Sequence, residues 1–335
     1  MIVVGLIVAA FVAWYVYEKQ NRPAVPMPGG LHADITLPHT QEWELYHNSF
    51  SLCSKKLRVC MAELGLDYAN HEIDLIETGS YENVSRRFLA VNPGGIVPVL
   101  VHNGHPVYES HDEIVYAAQH AGERGRQLLP EDPELYSIVE HWIEVASLKG
   151  NDPLQGSEVR AGNCIPALTL PIFATTIRYI PYLRILAGLP FHPYKIRPLM
   201  FLGLKFKGLA GLPSIGPVMK LLPRSRSNMH KHLDALAEHL EKNGGPWIAG
   251  ERFTLADVSW VVILDRLVEA DWEDAFWGQD QRPALAEYWE RLKARPSYEA
   301  AIKKQRCDIV VSGMRDLRDA KRASPELQQA LEEAG

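Results

Sequence analysis

The chain has 335 residues and a hydrophobic content of 47%, which is enough for two domains with packed cores. Its formal net charge of -6 at pH 7 gives no general case for nucleic-acid binding. The histidines are scattered, and the four cysteines form neither a C-x-x-C pair nor a zinc spacing, so we expect reduced thiols in a reducing compartment and no metal site. The cysteines are Cys53, Cys60, Cys164 and Cys307.

Residues 1–17 carry no charged side chain, and this length is near the short end of a membrane-spanning helix, roughly 17 residues. The competing interpretation is a cleaved signal peptide. A signal peptide usually has a basic segment before its apolar run, and this chain has none there. An aromatic cluster that begins at Trp14 is followed by Lys19 and Arg22, which is typical of an interfacial belt with positive charge on the following side. We therefore predict a single-pass transmembrane anchor at 1–17, a proline- and glycine-rich linker at 18–41, and a cytoplasmic remainder.

A strand, a polar turn and a helix are predicted over residues 44–64, with Gly65 as the helix stop. Ser51 and Cys53 lie where this helix begins. Free backbone N–H groups and the positive end of the helix dipole meet there, so an anion such as a thiolate is favoured at that point. The apolar face of the helix recurs at i, i+3, i+4 and i+7, through Leu57, Cys60, Met61 and Leu64.

Two further motifs follow in the same half of the chain. The segment Asn92–Pro98 ends in a proline at the start of a strand, which indicates either a simple strand entry or a cis-proline turn that presents the Val97 backbone to a peptide-like ligand. Glu109 precedes a capping box that begins with Ser110, and such a helix N-terminus accepts a carboxylate readily. The element order β-α-β-α-β-β-α predicts a thioredoxin-like α/β domain over 42–121.

The pattern becomes wholly helical after a junction at 122–134, so an all-α bundle domain is predicted over 135–305, followed by a polar, loosely packed tail at 306–335. Within this domain, residues 165–226 contain no Asp or Glu but nine basic residues, interleaved with apolar ones. We favour a segment that lies in the membrane interface beside anionic headgroups. The alternative is a helical insertion that packs on its own domain.

Four motifs occur in the order typical of one family: Ser51–Arg58, Asn92–Pro98, Glu109–Ser110 and Gly250–Asp257. Together they resemble the glutathione S-transferase superfamily over roughly residues 42–305. The Ser-x-Cys-Ser-x-Lys-x-Arg spacing resembles tetrachlorohydroquinone reductive dehalogenases and the zeta class. Other runs resemble the ganglioside-induced differentiation-associated protein 1 family, whose members are membrane-anchored, although at the C-terminus, and carry a long helical insertion. These runs are His47–Ser51, Ala174–Arg178, and Trp277–Gly278 with Arg282–Pro283.

The resemblance implies glutathione as the cosubstrate. It implies that Ser51 donates a hydrogen bond to the glutathione sulfur, which lowers the thiol pKa so that the thiolate can attack an electrophile. Cys53 offers another mechanism, a mixed disulfide with glutathione, although it is equally well interpreted as a small core thiol. The resemblance also implies that the backbone of Val97, before Pro98, pairs with the cysteinyl portion of glutathione. Glu109 would hold the γ-glutamyl ammonium and Ser110 the γ-glutamyl carboxylate. Lys55, with Lys56 as the alternative, would attract the glycine carboxylate.

The function predicted from these residues is that of a membrane-anchored glutathione transferase that acts on a lipophilic electrophile in detoxification. One alternative is a non-catalytic membrane-associated adaptor that keeps the transferase fold. Another is a Cys53-dependent reductive dehalogenase or thiol transferase. The expected partners are glutathione, the electrophile and the membrane, without nucleic acid. A homodimer is usual in the superfamily, but the sequence leaves the oligomeric state and the second substrate open.

Overall fold

A five-stranded mixed sheet forms the centre of the N-terminal half. The computed structural model describes residues 2–22, 24–150, 156–278 and 281–332. The strands are β1 Gly30–Leu31, β2 Trp43–His47, β3 Ala69–Glu72, β4 Val99–His102 and β5 His105–Tyr108. The helices of this half are α1 Ile2–Gln20, α2 Leu52–Leu64, α3 Arg86–Leu89, α4 Ser110–His120 and α5 Gly122–Leu128.

The strand order is β1-β5-β4-β2-β3, with β2 and β3 parallel and the other neighbours antiparallel. Side chains alternate across the pleat of β4, so that Val99 and Val101 join one apolar cluster with Phe88, whereas Leu100 joins the larger core with Leu57. Helices α2 and α4 pack against each other over that larger core. The predicted thioredoxin-like domain is thereby confirmed.

The segment predicted as a linker at 18–41 is partly built into this domain. Strand β1 pairs antiparallel with β5 through Gly30 and Tyr108, which extends the sheet by one edge strand. Upstream of it, the backbone N–H of Val25 donates to the carbonyl of Pro93 at 2.9 Å. Proline and glycine content alone indicated a free connection, whereas these backbone hydrogen bonds fix the segment along the sheet edge.

The predicted transmembrane anchor at 1–17 is corrected by the structure. Helix α1 covers most of that segment, yet no helix among the described residues is long and apolar enough to cross a membrane. The end of α1 contacts the folded chain instead: Trp14 packs edge-on against Phe191, with ring centroids 5.6 Å apart, and Glu18 pairs with Arg86 at 2.6 Å. Hydropathy showed the apolar run but not these tertiary partners.

The C-terminal half is helical, as predicted. Helix α13 lies at its centre, and every residue of α13 except Val268 is buried. Its N-terminus is closed by the capping box of Thr254 and Asp257. The helices are α6 Pro133–Ala146, α7 Ile165–Leu168, α8 Leu170–Thr176, α9 Tyr182–Leu186, α10 Gly188–Phe191, α11 Ile196–Lys207, α12 Gly216–Asn243, α13 Leu255–Glu269, α14 Glu273–Phe276, α15 Pro283–Lys293, α16 Pro296–Ala301, α17 Asp308–Ala323 and α18 Pro325–Glu332.

The basic stretch 165–226 folds into α7 to α11 and the first part of α12. Its apolar side chains Ile172, Ile177 and Phe201 are fully buried in the core of the helical domain. Several of its cations have acidic partners elsewhere in the chain, among them Arg178 with Asp316, Arg197 with Glu77 and Arg224 with Glu158. This packing matches the alternative interpretation, an insertion on its own domain, and the membrane-interface interpretation gains no support from it.

The tail predicted to pack loosely forms α17 and α18. Val310, Leu317 and Leu331 are at most 1% exposed, so these helices complete the core rather than extend from it. Helix α17 packs on α8, where Thr175 donates to the carbonyl of Gly313 at 2.9 Å.

A buried ion cluster joins the two halves. The Lys55 ammonium on α2 lies 2.7 Å from Asp265 and 2.5 Å from Glu269 of α13, and all three side chains are buried. Arg266 pairs with Glu269 at 2.9 Å, and Arg306 pairs with both carboxylates. Burial alone would raise the pKa of Glu269, but the charges of Lys55, Arg266 and Arg306 hold it well below its usual range.

Replacing Lys55 by Met is expected to lower the free energy of unfolding by about 3 to 5 kcal/mol, because one partner of a buried ion pair is lost. The matched control is Lys242→Met, which removes a pair between largely exposed side chains on α12 and is expected to leave the free energy of unfolding almost unchanged. Urea unfolding monitored by circular dichroism measures both. Equal losses in the two variants would contradict the structural role given to Lys55.

Candidate active site

The turn between β2 and α2 is held from several sides. The buried Asn48 accepts hydrogen bonds at Oδ1 from the N–H groups of Phe50 and Ser51, at 3.0 and 3.1 Å. Arg58 donates to the Asn48 carbonyl at 3.0 Å, and Arg266 donates to the carbonyl of Phe50. Each carbonyl of a tight turn inside the protein needs a donor, and here arginines from α2 and α13 supply it. The position of Ser51 is therefore fixed by both halves of the chain.

Ser51 is the N-cap of α2. Its Oγ accepts from the backbone N–H of Ser54 at 3.3 Å, which leaves the hydroxyl hydrogen available to donate to another group. Cys53 lies in the first turn of the same helix and is partly exposed. A sulfur anion near this point would face a hydroxyl donor and the positive end of the helix dipole.

The loop before β4 presents unpaired backbone groups. The Val97–Pro98 peptide bond is cis, and among the described residues the N–H and carbonyl of Val97 have no backbone partner. Two buried amides hold the loop, because Asn83 donates to the carbonyl of Gly95 at 2.7 Å and Asn92 to that of Ile96 at 2.8 Å. Val97 thus offers a donor and an acceptor to a peptide-like ligand.

Glu109 and Ser110 lie at the start of α4. Glu109 has a φ of 69°, a left-handed conformation that is uncommon for a residue with a side chain and concentrates at functional sites. Partial burial, with the Asp112 charge next, raises the pKa of Glu109. Gly29, from the segment that precedes β1, lies against this turn: a Cβ at Gly29 would be 3.2 Å from the Glu109 Cβ.

These segments meet in one cleft of about 810 Å³. Of the residues predicted for the site, Ser51, Cys53, Val97, Glu109 and Ser110 line it. Pro98 is buried and does not line the cleft. A smaller cleft of about 360 Å³ lies along α17 and includes none of these residues.

The predicted ligand role of Lys55 is wrong. Its ammonium is fully buried against Asp265 and Glu269 and does not line the cleft. Lys56, the next residue, does line it. Successive helix residues are about 100° apart around the axis, so one lysine faces α13 and the other faces the cleft.

Lys56 brings a buried cation to the cleft. Within the described part of the chain the Lys56 ammonium has no hydrogen bond or ion pair, although the residue is only 6% exposed. Burial lowers the pKa of Lys56, while nearby Cys53 and Glu113 favour its charged form. Burial also raises the pKa of Glu113 well above its usual range. An anion in the cleft would therefore be stabilised by Lys56.

The helical half supplies a wall that the sequence did not reveal. Ile165, Phe173, His192 and Arg197 from the basic insertion line the cleft, and so does Arg266 from α13. None of these residues belongs to a short motif. The absence of acidic residues from the insertion was the one available signal, since its cations pair across to the N-terminal half through contacts such as Arg197 with Glu77.

The chain thus has a two-domain architecture, in which a thioredoxin-like domain is followed by a helical domain and a cleft lies between them at the start of α2. Residues 50–120 match the family model described as glutathione S-transferase, N-terminal domain, and residues 220–291 match that described as glutathione S-transferase, C-terminal domain. The chain therefore resembles the glutathione S-transferase superfamily in both of its halves, with the two matches in the order N-terminal domain, then C-terminal domain.

Curated relatives agree with this assignment. The chain is 26% identical to the tetrachloro-p-hydroquinone reductive dehalogenase of Sphingobium chlorophenolicum, over 78% of this chain and 95% of that protein. It is also 26% identical to glutathione S-transferase TCHQD of Arabidopsis thaliana, over 77% of this chain and 89% of the relative. Among solved structures, the beta-etherase LigF of Sphingobium sp. strain SYK-6 shares the fold, with a TM-score of 0.62, 20% identity, and coverage of 79% of this chain and 100% of that chain.

Native alkylation by iodoacetamide is expected to label Cys53 and to spare Cys60 and Cys164. Both spared thiols are fully buried, and burial raises the pKa of Cys164 to about 12 and that of Cys60 further. Peptide mass spectrometry before and after urea unfolding measures the difference. Labelling of Cys60 as fast as Cys53 in the folded protein would contradict the burial of Cys60.

Proposed function

We propose that this protein is a glutathione-dependent transferase in which Ser51 activates the thiol of glutathione. The observation that carries the proposal is the meeting of Ser51, Val97 and Ser110 in one cleft, although they come from three separate segments. Glutathione is the cosubstrate. The fold and the relatives support this chemistry.

The cleft offers a complementary group for each part of the tripeptide. The free N–H and carbonyl of Val97 would pair with the cysteinyl backbone. Ser110 and the exposed N–H groups at the start of α4 would take the γ-glutamyl carboxylate, with Glu109 near the ammonium. Lys56 replaces Lys55 as the cation that attracts the negatively charged ligand.

The chemistry follows from the hydroxyl of Ser51. A hydrogen bond from Ser51 to the sulfur stabilises the thiolate over the thiol, and the dipole of α2 acts in the same direction, so the thiol pKa falls. The released proton passes to solvent. The thiolate then forms a carbon–sulfur bond with the electrophile, and the leaving group departs with the bonding electron pair.

A second candidate function is supported by Cys53. It lines the cleft beside Lys56, and two of the curated matches are named as dehalogenating enzymes. In this reaction the Cys53 thiolate attacks the sulfur of a glutathione conjugate, the carbon–sulfur bond breaks, and the carbon takes up a proton. The resulting Cys53–glutathione disulfide is then reduced by a second glutathione thiolate, which yields glutathione disulfide.

Three predictions from the sequence remain outside this proposal. The resemblance to the ganglioside-induced differentiation-associated protein 1 family stays a prediction, as does the non-catalytic adaptor. A homodimer also stays a prediction.

Ser51→Ala and Cys53→Ala separate the two mechanisms. If Ser51 activates the thiol, Ser51→Ala should lower kcat/KM for conjugation of 1-chloro-2,4-dinitrobenzene by about 10²-fold, as expected for a lost hydrogen bond to a developing anion, whereas Cys53→Ala should change it less than about threefold. The pH profile of kcat/KM should also move to higher pH in Ser51→Ala. Loss of turnover in Cys53→Ala alone would assign the chemistry to the second candidate. No glutathione binding by calorimetry would refute both.

Gly29→Ala tests the contact between the N-terminal segment and the γ-glutamyl site. The added Cβ would be 2.0 Å from Asp112 Oδ2 and 3.2 Å from the Glu109 Cβ, so both side chains must shift while the fold persists. We expect the Kd for glutathione to rise roughly threefold to tenfold with little change in Tm. Gly203→Ala, on α11 with open space around it, is the matched control and should leave the Kd unchanged. An unchanged Kd in both variants would remove Gly29 from the site.

A further inference from the structure

The segment 188–197 of the insertion forms one wall of the cleft and is anchored to the N-terminal domain. Arg197 pairs with the buried Glu77, which follows β3. The ring of Tyr81 lies against Gly188, where a Cβ would be 2.3 Å from it. Because contacts from the loop after β3 hold this segment, it is a fixed wall of the cleft rather than a loose loop.

His192 is the buried polar group of this wall. It is only 4% exposed and lines the cleft, and its ring meets that of Tyr81 edge-on with centroids 5.4 Å apart. Its Nδ1 accepts a hydrogen bond from the backbone N–H of Tyr194 at 3.1 Å. Since Nδ1 accepts, a neutral ring must carry its proton on Nε2.

The surroundings of His192 keep the ring neutral. Burial lowers its pKa to about 4, and the charges of Arg197 and Lys195 act in the same direction. Glu77 also faces this region, but its carboxylate is already paired with Arg197. Within the described part of the chain, Nε2 has no hydrogen-bond partner, although the rest of the residue is buried. Because His192 lines the cleft, its Nε2–H can donate to an acceptor atom of a ligand that enters the cleft.

The neighbouring wall is apolar and partly aromatic. Ile165, Pro166, Phe173 and Pro193 line the same cleft. Phe173 stands edge-on to Phe50, with centroids 5.9 Å apart, next to the turn that carries Ser51. An apolar group in the cleft would therefore have apolar side chains beside it, close to the turn that carries Ser51.

We propose that the wall formed by 188–197 and Phe173 binds the second substrate, and that His192 Nε2–H donates a hydrogen bond to an oxygen of that substrate. The substrate class is an aromatic electrophile with an oxygen acceptor, such as a nitro, carbonyl or phenolic oxygen. This rests on the proposed function, because it concerns the second substrate of the same cleft. His192 then determines specificity and takes no part in activating the thiol.

Calorimetric titration with two unreactive glutathione conjugates tests this assignment. S-(2,4-dinitrophenyl)glutathione has oxygen acceptors on an aromatic ring, and S-hexylglutathione has neither. The variants are His192→Met and His192→Gln, which have similar shapes but differ in the presence of an N–H donor. His141→Met, at an exposed position on α6, is the control.

Met in place of His192 should weaken binding of the dinitrophenyl conjugate about tenfold and that of the hexyl conjugate less than twofold. Gln should leave both within about threefold of the unmodified protein, and so should the control. If His192→Met weakens the binding of both conjugates equally, or of neither, the proposal is overturned. The partner of His192 Nε2 would then be water, or no specific group, rather than an oxygen of the substrate.

A third titrant separates failure of this inference from failure of the proposed function. 1,3-Dinitrobenzene carries the acceptor oxygens without the tripeptide, and ligand-observed NMR detects weak binding. If neither conjugate binds the unmodified protein, the glutathione function fails. If dinitrobenzene binds, and if its binding is weakened in His192→Met but kept in His192→Gln, the His192 subsite is still supported. If it binds all three proteins equally, the subsite is refuted.

Discussion

The cleft depends on the contact between α2 and α13, which is a buried ion cluster. Lys55 is held between Asp265 and Glu269, with all three side chains buried. A buried charge whose partner is removed is far more costly than an exposed one, so the geometry of this cluster tolerates little variation. The helix that carries Ser51 at its start is thereby fixed to the centre of the other domain. The cleft is defined by that attachment.

The same cluster also sets the electrostatics of the cleft. Lys55, Arg266 and Arg306 contribute three positive charges, against two negative charges from Asp265 and Glu269. Arg266 lies with its guanidinium 4.0 Å from the centre of the Phe50 ring and lines the cleft. With Lys56, it gives the start of α2 an excess of positive charge, which adds to the helix dipole. The attachment of the two domains therefore also favours an anionic sulfur at that point.

The sequence was informative where the chemistry is local. The turn at Ser51, the loop at Val97 and the start of α4 at Ser110 each depend on adjacent residues, and all three lie in the cleft. Lys55 was misassigned because its partners are more than 200 residues away. The spacing of Cys53 and Lys56, three residues apart on one helix face, was the available signal for the correct lysine. His192 could not be found in this way, since its position depends on long-range contacts of the insertion.

The basic composition of the insertion 165–226 is explained by its ion pairs with acidic residues elsewhere in the chain. Its cations lie beside a chain that is otherwise acidic, and pairs such as Arg197 with Glu77 tie its wall to the N-terminal domain. The groups that would hold glutathione come from the thioredoxin-like domain, whereas His192 and Phe173 come from the insertion. Under the proposed function, thiol activation and choice of electrophile would therefore rest on separate segments. A change within 188–197 can alter the second substrate while Ser51, Val97 and Ser110 keep their positions.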